Sequence, residues 1–362
     1  MKVLFVDDEP RVLEAIERSL FQLDLDWEVS FSGGGAAALA ELERAPVDVI
    51  VSDMRMPGMD GAALLTRVCE KYPQIVRIVL SGQTDEAAAL RVVRVAHQFL
   101  SKPCSSDTLK QVIERTQALK SWLSDERLQA LVGKIDHLPS APRLFEELNR
   151  ALDSESTSAD SVAEIVRQDP AMSSKLLQVA NSSFFSSSSN VSDVRTAVVR
   201  LGLKTIRNLA LGIGAFEAFG KAGTPSARAI EALQNRSLRI AKLAARIAKG
   251  TDDVDTAFMC GLVCDVGELV LAAHTGRELE PAGTVTHAEV GAFLLGLWGL
   301  PYRVVEAVAN HHAPERNAYE RLGLPQMVWL ASCLVHGEEP NPEYIERIGA
   351  GKALAEARGF LT

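Results

Sequence analysis

Up to about residue 120 the chain alternates short unbroken apolar runs with longer stretches whose apolar positions recur every three or four residues. The runs are Val3–Val6, Trp27–Phe31, Val47–Val51, Val76–Leu80 and Phe99–Leu100. Between them, Val12, Ile16 and Leu20, and then Ala62, Leu65 and Val68, carry helical spacing. Unbroken apolar runs closed by turn residues are the pattern of strands covered on both faces. Their alternation with helices predicts a doubly wound, five-stranded parallel sheet over residues 1–120. Past that point the strand pattern stops. Helical segments follow one another, among them Pro142–Leu152, Ala171–Ala180, Thr205–Phe219, Ala227–Lys249, Ala257–Ala273, His287–Trp298 and Gln326–His336. Asp169-Pro170, Ser192-Asp193 and Leu300-Pro301 are helix-start signals, and Asn181-Ser182 reads as a helix end. The expectation is a multidomain chain: an α/β domain over 1–120, a linker helix over 121–134 within an amphipathic segment running from Ser105 to Lys134, an all-α domain over 135–340, and a tail over 341–362. Asn181–Ser192 reads as a serine-rich loop pinned by its two phenylalanines, and Gly220–Ala227 as a plain loop.

Composition narrows the function classes. The chain has 362 residues, 47% of them apolar and 23% charged, and a net charge of −9 that divides about evenly between residues 1–120 and the rest. An acidic balance argues against a broad nucleic-acid surface, although Arg195, Arg200, Lys204 and Arg207 make a local basic group. There is no apolar stretch long enough to span a bilayer, and the N-terminus turns acidic at Asp7, too soon for a secretion signal. The five scattered cysteines fit a reducing compartment, so a cytoplasmic location is expected.

In a doubly wound sheet the chemistry collects at the carboxyl ends of the strands. Here those ends carry Asp7-Asp8, Asp53, Ser81-Gly82 and Lys102-Pro103. With the flavodoxin-like strand order 2-1-3-4-5, Asp7, Asp8 and Asp53 meet in one shallow pocket. Converging carboxylates repel unless a cation lies among them, and an all-oxygen set suits Mg²⁺. A carboxylate, a divalent ion, a lysine and a hydroxyl together suit phosphoryl transfer.

These positions, with Met54-Arg55-Met56-Pro57-Gly58-Met59-Asp60-Gly61 and Phe99-Leu100-Ser101-Lys102-Pro103, resemble the receiver domain of bacterial two-component response regulators. The resemblance implies that Asp53 is the phosphoacceptor. It also implies that Asp8, Asp53 and the backbone carbonyl of Arg55 hold Mg²⁺, with Asp7 acting largely through water. Ser81 and Lys102 would contact the phosphoryl group and Phe99 would be an aromatic switch. Phosphorylation would draw the loop after the fourth strand inward and rotate Phe99 in. The face of the fourth helix, fifth strand and fifth helix would then change. A sensor histidine kinase is the implied donor, and homodimerisation on phosphorylation is in character.

The second half contains Gly261-Leu262-Val263-Cys264-Asp265-Val266-Gly267, then His287, then His311-His312. The spacing resembles the HD superfamily of metal-dependent phosphohydrolases, but its defining histidine falls on Cys264, an earlier one on Arg236, and a late carboxylate is replaced in Ala331-Ser332-Cys333. Asp265, His287, His311 and His312 survive. A guanidinium cannot ligate a metal. Asp265 is therefore expected to cap or to pair with Arg236, His287 to cap a helix, and at least one of His311 and His312 to face solvent. Leu138-Pro139, Arg167-Gln168-Asp169-Pro170, Val179-Ala180-Asn181-Ser182 and Arg200-Leu201-Gly202-Leu203-Lys204 resemble the HDOD family of signalling output domains. The expectation is a response regulator whose helical domain is a non-catalytic scaffold without a metal, contacting an unspecified downstream protein. The alternatives are a receiver-regulated, metal-dependent phosphohydrolase acting on a cyclic (di)nucleotide, and an effector that binds nucleotide or nucleic acid.

Overall fold

The computed structural model describes residues 1–23, 25–82, 92–93, 95–122, 125–135, 138–140, 142–154, 156–182, 185, 190–212, 226–275, 286–316 and 320–361. It divides into two compact units, one built on Met1–Asp136 and the other on His137–Ala180, Asn190–Gly296 and Leu300–Thr362.

The first unit holds β1 (Lys2–Val6), α1 (Pro10–Phe21), β2 (Glu28–Ser32), α2 (Gly35–Arg44), β3 (Val49–Asp53), α3 (Gly61–Lys71), β4 (Val76–Gly82), β5 (Gln98–Lys102), α4 (Ser106–Trp122) and α5 (Glu126–Gly133). The strands form one sheet in the order β2-β1-β3-β4-β5, every pair parallel. Val3, Leu4, Ile50, Val51, Ile78 and Val79 are fully buried, as unbroken apolar strands between two helical layers must be. The order sets β1 beside β3, so Asp7 and Asp53 emerge side by side. The segment after Gly82, expected to carry a moving loop and a fourth helix, falls largely on residues 83–91, outside the described residues.

The expected connecting helix from Ser105 to Lys134 is two helices. Asp125 is the reason: its carboxylate accepts the backbone N–H groups of Arg127 and Leu128, which starts α5 afresh. α5 packs within the first unit. A Cβ on Gly133 would lie 1.9 Å from the Pro73 carbonyl oxygen, so only glycine permits that approach. Arg77, fully buried, donates to the carbonyl of Gly133 at 2.6 Å, and also to those of Val95, Ile75 and Pro73.

The second unit is all helix among its described residues: α6 (Pro142–Asp153), α7 (Ala159–Val166), α8 (Pro170–Ala180), α9 (Val194–Arg207), α10 (Ala227–Ile247), α11 (Val254–Val263), α12 (Val266–Thr275), α13 (His287–Leu297), α14 (Tyr302–Ala309), α15 (Leu324–His336), α16 (Pro342–Arg347) and α17 (Gly351–Leu361). Asp169 caps α8 as its sequence predicts, accepting from the N–H groups of Ala171 and Met172, and its other oxygen accepts from Gln234 Nε2 at 2.8 Å. α9 bends at Gly202, whose φ of 73° breaks the helix where the pattern paused. The expected tail is folded instead. Asn341 caps α16, and Tyr344, Ile345 and Ile348 bury against Trp329, Leu330 and Cys333 of α15. The serine-rich and Gly220–Ala227 loops fall mostly outside the described residues. Among the described residues no helix is long and apolar enough to cross a membrane.

Candidate functional site

Two polar centres are built into otherwise apolar surroundings. The first lies at the carboxyl ends of β1, β3 and β5. Lys102 Nζ stands 2.6 Å from Asp7 Oδ2 and 2.5 Å from Asp53 Oδ1. The remaining oxygens are held by backbone: Asp7 Oδ1 accepts the Glu9 N–H at 2.9 Å, and Asp53 Oδ2 accepts the Arg55 N–H at 2.7 Å. Asp7 and Asp53 are buried, and Asp8, next along the chain, is half-buried. Burial pushes the Lys102 ammonium down, but its contacts with Asp53 and Asp7 outweigh this and raise it, so it stays charged.

The turn after β3 is tight because of Gly61. A Cβ there would meet the Asp53 carbonyl oxygen at 2.2 Å. The Gly61 N–H donates to the Met54 carbonyl, and the Met54 N–H donates to the Leu80 carbonyl, which fixes the end of β3 against β4. A cis peptide bond joins Lys102 to Pro103. Ser81 is buried at the end of β4. Phe99, expected to rotate in, is already inside and 4% exposed, because β5 pairs it with Val79 between covered faces. The donors at this pocket are oxygens only, and three carboxylates outnumber the one ammonium among them, which fits a hard divalent cation such as Mg²⁺.

The second centre lies where α10, α11, α12, α13 and the turn after α14 converge. A Cβ on Gly267 would fall 1.9 Å from the His287 carbonyl oxygen, so glycine lets the start of α12 touch the start of α13. That contact brings Asp265 to His287. Asp265 is fully buried, with Oδ2 accepting from Arg236 Nε at 2.9 Å. Its Oδ1 lies 3.5 Å from His287 Nε2 and 3.4 Å from His311 Nε2. His287 Nε2 in turn lies 3.2 Å from His311 Nε2 and 3.1 Å from His312 Nε2. All four ligand atoms fall within 4.8 Å of one another. His311 Nδ1 is 2.7 Å from the Val308 carbonyl.

Burial alone would raise the Asp265 carboxyl, yet hydrogen bonds from His287 and His311 and the charge of Arg236 hold it well below the usual carboxylate range. Partial loss of water around its ring, with His311 and His287 beside it, pushes His312 down to about 3, so it is neutral at physiological pH. Burial and then Asp265 push the Cys264 thiol up, which keeps it protonated. The pairing of Asp265 with Arg236 is as the sequence suggests, and His312 is the exposed member of its pair. His287 does more than open α13: it touches both later histidines. Glu268 was not anticipated. It lies 2.5 Å from Arg236 Nη2, and its place three residues after Asp265, one turn along, was the signal available. Ser332, standing for the missing late carboxylate, is buried, with Oγ 3.3 Å from His336 Nδ1.

The model of the response regulator receiver domain matches residues 3–114, and that of the HDOD domain matches residues 138–314. An uncharacterized protein of Treponema pallidum is 24% identical over 266 residues, covering 64% of this chain and 51% of that protein. The hydrogenase transcriptional regulatory protein HoxA of Cupriavidus necator is 41% identical over 118 residues, 31% of this chain and 24% of that protein. The DNA-binding transcriptional regulator NtrC of Escherichia coli is 33% identical over 114 residues, again 31% and 24%. The chain thus spans from about a quarter to about half of the length of these relatives. Among solved structures, the MmoQ response regulator of Methylococcus capsulatus aligns with a TM-score of 0.48 at 23% identity, covering 61% of this chain and 97% of that one. The signal receiver domain of an HD domain-containing protein from Pseudomonas fluorescens aligns with a TM-score of 0.31 at 28% identity, covering 34% and 98%.

Proposed function

The chain is a response regulator in which a receiver domain precedes an HDOD domain, and on that premise we propose that Asp53 accepts a phosphoryl group from a sensor histidine kinase and that the HDOD domain passes the change on by protein contact. The observation that carries the proposal is Lys102, whose ammonium bridges Asp7 and Asp53 at the end of the sheet.

In the transfer, an Asp53 carboxylate oxygen forms a bond to phosphorus as the P–N bond of a phosphohistidine breaks. The leaving imidazole takes the electron pair and then a proton. Asp53 is held for this by the Arg55 N–H on one oxygen and by Lys102 on the other. Lys102 moves with the charge: it pairs with the carboxylate before transfer and reaches a phosphoryl oxygen after it. Ser81, at the end of the neighbouring strand, supplies a hydroxyl donor to the same group. Asp7, Asp8, Asp53 and the Arg55 carbonyl would hold Mg²⁺, which when bound offsets negative charge on the phosphoryl oxygens.

The new group adds about −1.5 to −2 charges where carboxylates already gather. The response is local electrostatics with a distant readout, starting from Ser81 and Lys102 at the ends of β4 and β5. The HDOD domain acts in this reading as a scaffold and not as a hydrolase, since Arg236 and Cys264 stand where a hydrolytic metal set needs ligands.

The test is incubation with acetyl phosphate and Mg²⁺, followed by intact-mass measurement. Wild type gains one acid-labile phosphoryl group and Asp53→Asn gains none. Equal labelling of Asp53→Asn would overturn the assignment.

A further inference from the structure

We propose that the HDOD domain binds one tetrahedral transition-metal ion, with zinc the best fit, through Asp265 Oδ1 and the Nε2 atoms of His287, His311 and His312. This goes beyond the receiver chemistry, does not depend on Asp53, and departs from the expectation that the domain carries no metal.

The spacing is the first argument. Ligand atoms about 2.1 Å from a tetrahedral zinc stand about 3.4 Å from one another. Four of the six separations within this set are 3.1, 3.2, 3.4 and 3.5 Å, and all six are within 4.8 Å. Four edges of such a tetrahedron are already assembled by the protein.

Proton bookkeeping is the second. His311 Nδ1 donates to the Val308 carbonyl at 2.7 Å, which leaves Nε2 as the nitrogen that faces the cluster. His287 Nε2 faces that nitrogen, His312 Nε2 and Asp265 Oδ1 together. One ring nitrogen facing three other donor atoms at 3.1–3.5 Å cannot be paired with all of them through hydrogen bonds. A cation at the centre satisfies all four at once.

The third argument is how the surroundings limit the ion. Arg236 holds Asp265 Oδ2 from the other side at 2.9 Å and is itself paired with Glu268. The carboxylate therefore serves one ion through one oxygen, and a guanidinium occupies the flank where a second ion would sit. Four protein ligands close a tetrahedral site, and a closed site is structural or sensory, without the open position that hydrolysis needs. Three imidazoles and a carboxylate favour zinc, cobalt or nickel over Mg²⁺. Entry is from His312, which is exposed and lines a cleft of about 570 Å³ together with Glu315, Glu338, Glu339 and Glu343.

The experiment uses the full-length chain, stripped of metal and then titrated with Co²⁺ in the presence of excess Mg²⁺. Uptake is read as the intense visible absorption of a four-coordinate cobalt ion and as bound metal by mass spectrometry. One equivalent is expected, displaced by Zn²⁺. His312→Gln, at the exposed edge, and His287→Ala should each weaken uptake more than tenfold, with helical circular dichroism unchanged for His312→Gln. Failure of the folded wild type to take up metal would overturn the proposal, and so would equal uptake by His312→Gln and His287→Ala. The Asp53 labelling assay is unaffected by either result, so the two readings fail separately.

Discussion

The guanidinium of Arg236 lies 2.9 Å from the one oxygen of Asp265 that the histidines leave free. Asp265 is wholly buried and Arg236 about two-thirds so by side chain, so the pair is a sheltered one. Removing one partner of such a pair strands the other charge, at a cost of about 3 kcal/mol. Arg236→Met should therefore destabilise the helical domain by about that amount, seen as faster hydrogen exchange across Val254–Val263. Arg236→Lys should recover only part, since one ammonium does not reproduce a fork spanning Asp265 and Glu268. Exchange equal to wild type in Arg236→Met would show that Asp265 is held by the histidines alone.

Gly61 gives a second prediction, in the receiver. A methyl group at this position would sit 2.2 Å from the Asp53 carbonyl oxygen, inside any allowed contact. Gly61→Ala should push the end of β3 out of place, destabilise the domain by about 2 kcal/mol or more, and slow acetyl-phosphate labelling of Asp53. Gly58→Ala is the useful contrast. Its φ of 77° makes alanine strained, but nothing stands within 4 Å of the added carbon. The cost there is about 1 kcal/mol, and labelling should be close to wild type.

The contrast between the two domains shows what a sequence makes legible. The five strands and the chemistry at their ends followed from apolar runs, local patterns repeated along the chain, whereas the order that sets Asp7 beside Asp53 is a supposition from the doubly wound class. The division of the linker at Asp125 was also written locally, as a helix cap, but a long polar helix masked it. The four-residue cluster in the helical domain was harder. Its members come from three separate segments, the turn before α12, the start of α13 and the turn after α14, and their convergence depends on Gly267 allowing α12 to touch α13, a contact with no signature in spacing. Residue types that read as the remains of a damaged site bring four ligand atoms within 4.8 Å of one another in space.

The cysteines test the burial pattern independently. Cys260, Cys264 and Cys333 are buried, whereas Cys69 and Cys104 are partly exposed. Burial, reinforced by Glu338, pushes the Cys333 thiol up to about 12. At pH 8 its thiolate is then roughly one part in ten thousand, and alkylation should be slow until the protein unfolds. Burial likewise raises Cys260 and Cys264. Iodoacetamide at pH 8 should label Cys69 and Cys104 first, and all five only in denaturant, as read by peptide mass spectrometry. Early labelling of Cys264 would contradict the closed packing around Asp265.

The last prediction concerns α5 and its hold on the receiver. Arg77 is fully buried, and its guanidinium donates to the Gly133 carbonyl at 2.6 Å while Nη2 lies 2.9 Å from His97 Nε2. Burial lowers this guanidinium to about 10, so it remains charged at neutral pH. The carbonyls of Pro73, Ile75, Val95 and Gly133 converge on it and accept hydrogen bonds from its N–H groups. Arg77→Met keeps the apolar stem but leaves these acceptors in a dry interior, each unpaired one costing about 1–3 kcal/mol. The loss should be greatest at the end of α5, because the Gly133 carbonyl closes a helix and has no later turn to pair with. Gly133→Ala attacks the same contact from the other side, through its collision with the Pro73 carbonyl. Both variants should free α5, giving faster hydrogen exchange and a new protease cut within Glu126–Gly133. Exchange in β1 and β3 should stay slow in Gly133→Ala, since the sheet does not use that residue. Unchanged protection of α5 in both variants would mean that other contacts hold the helix to the receiver.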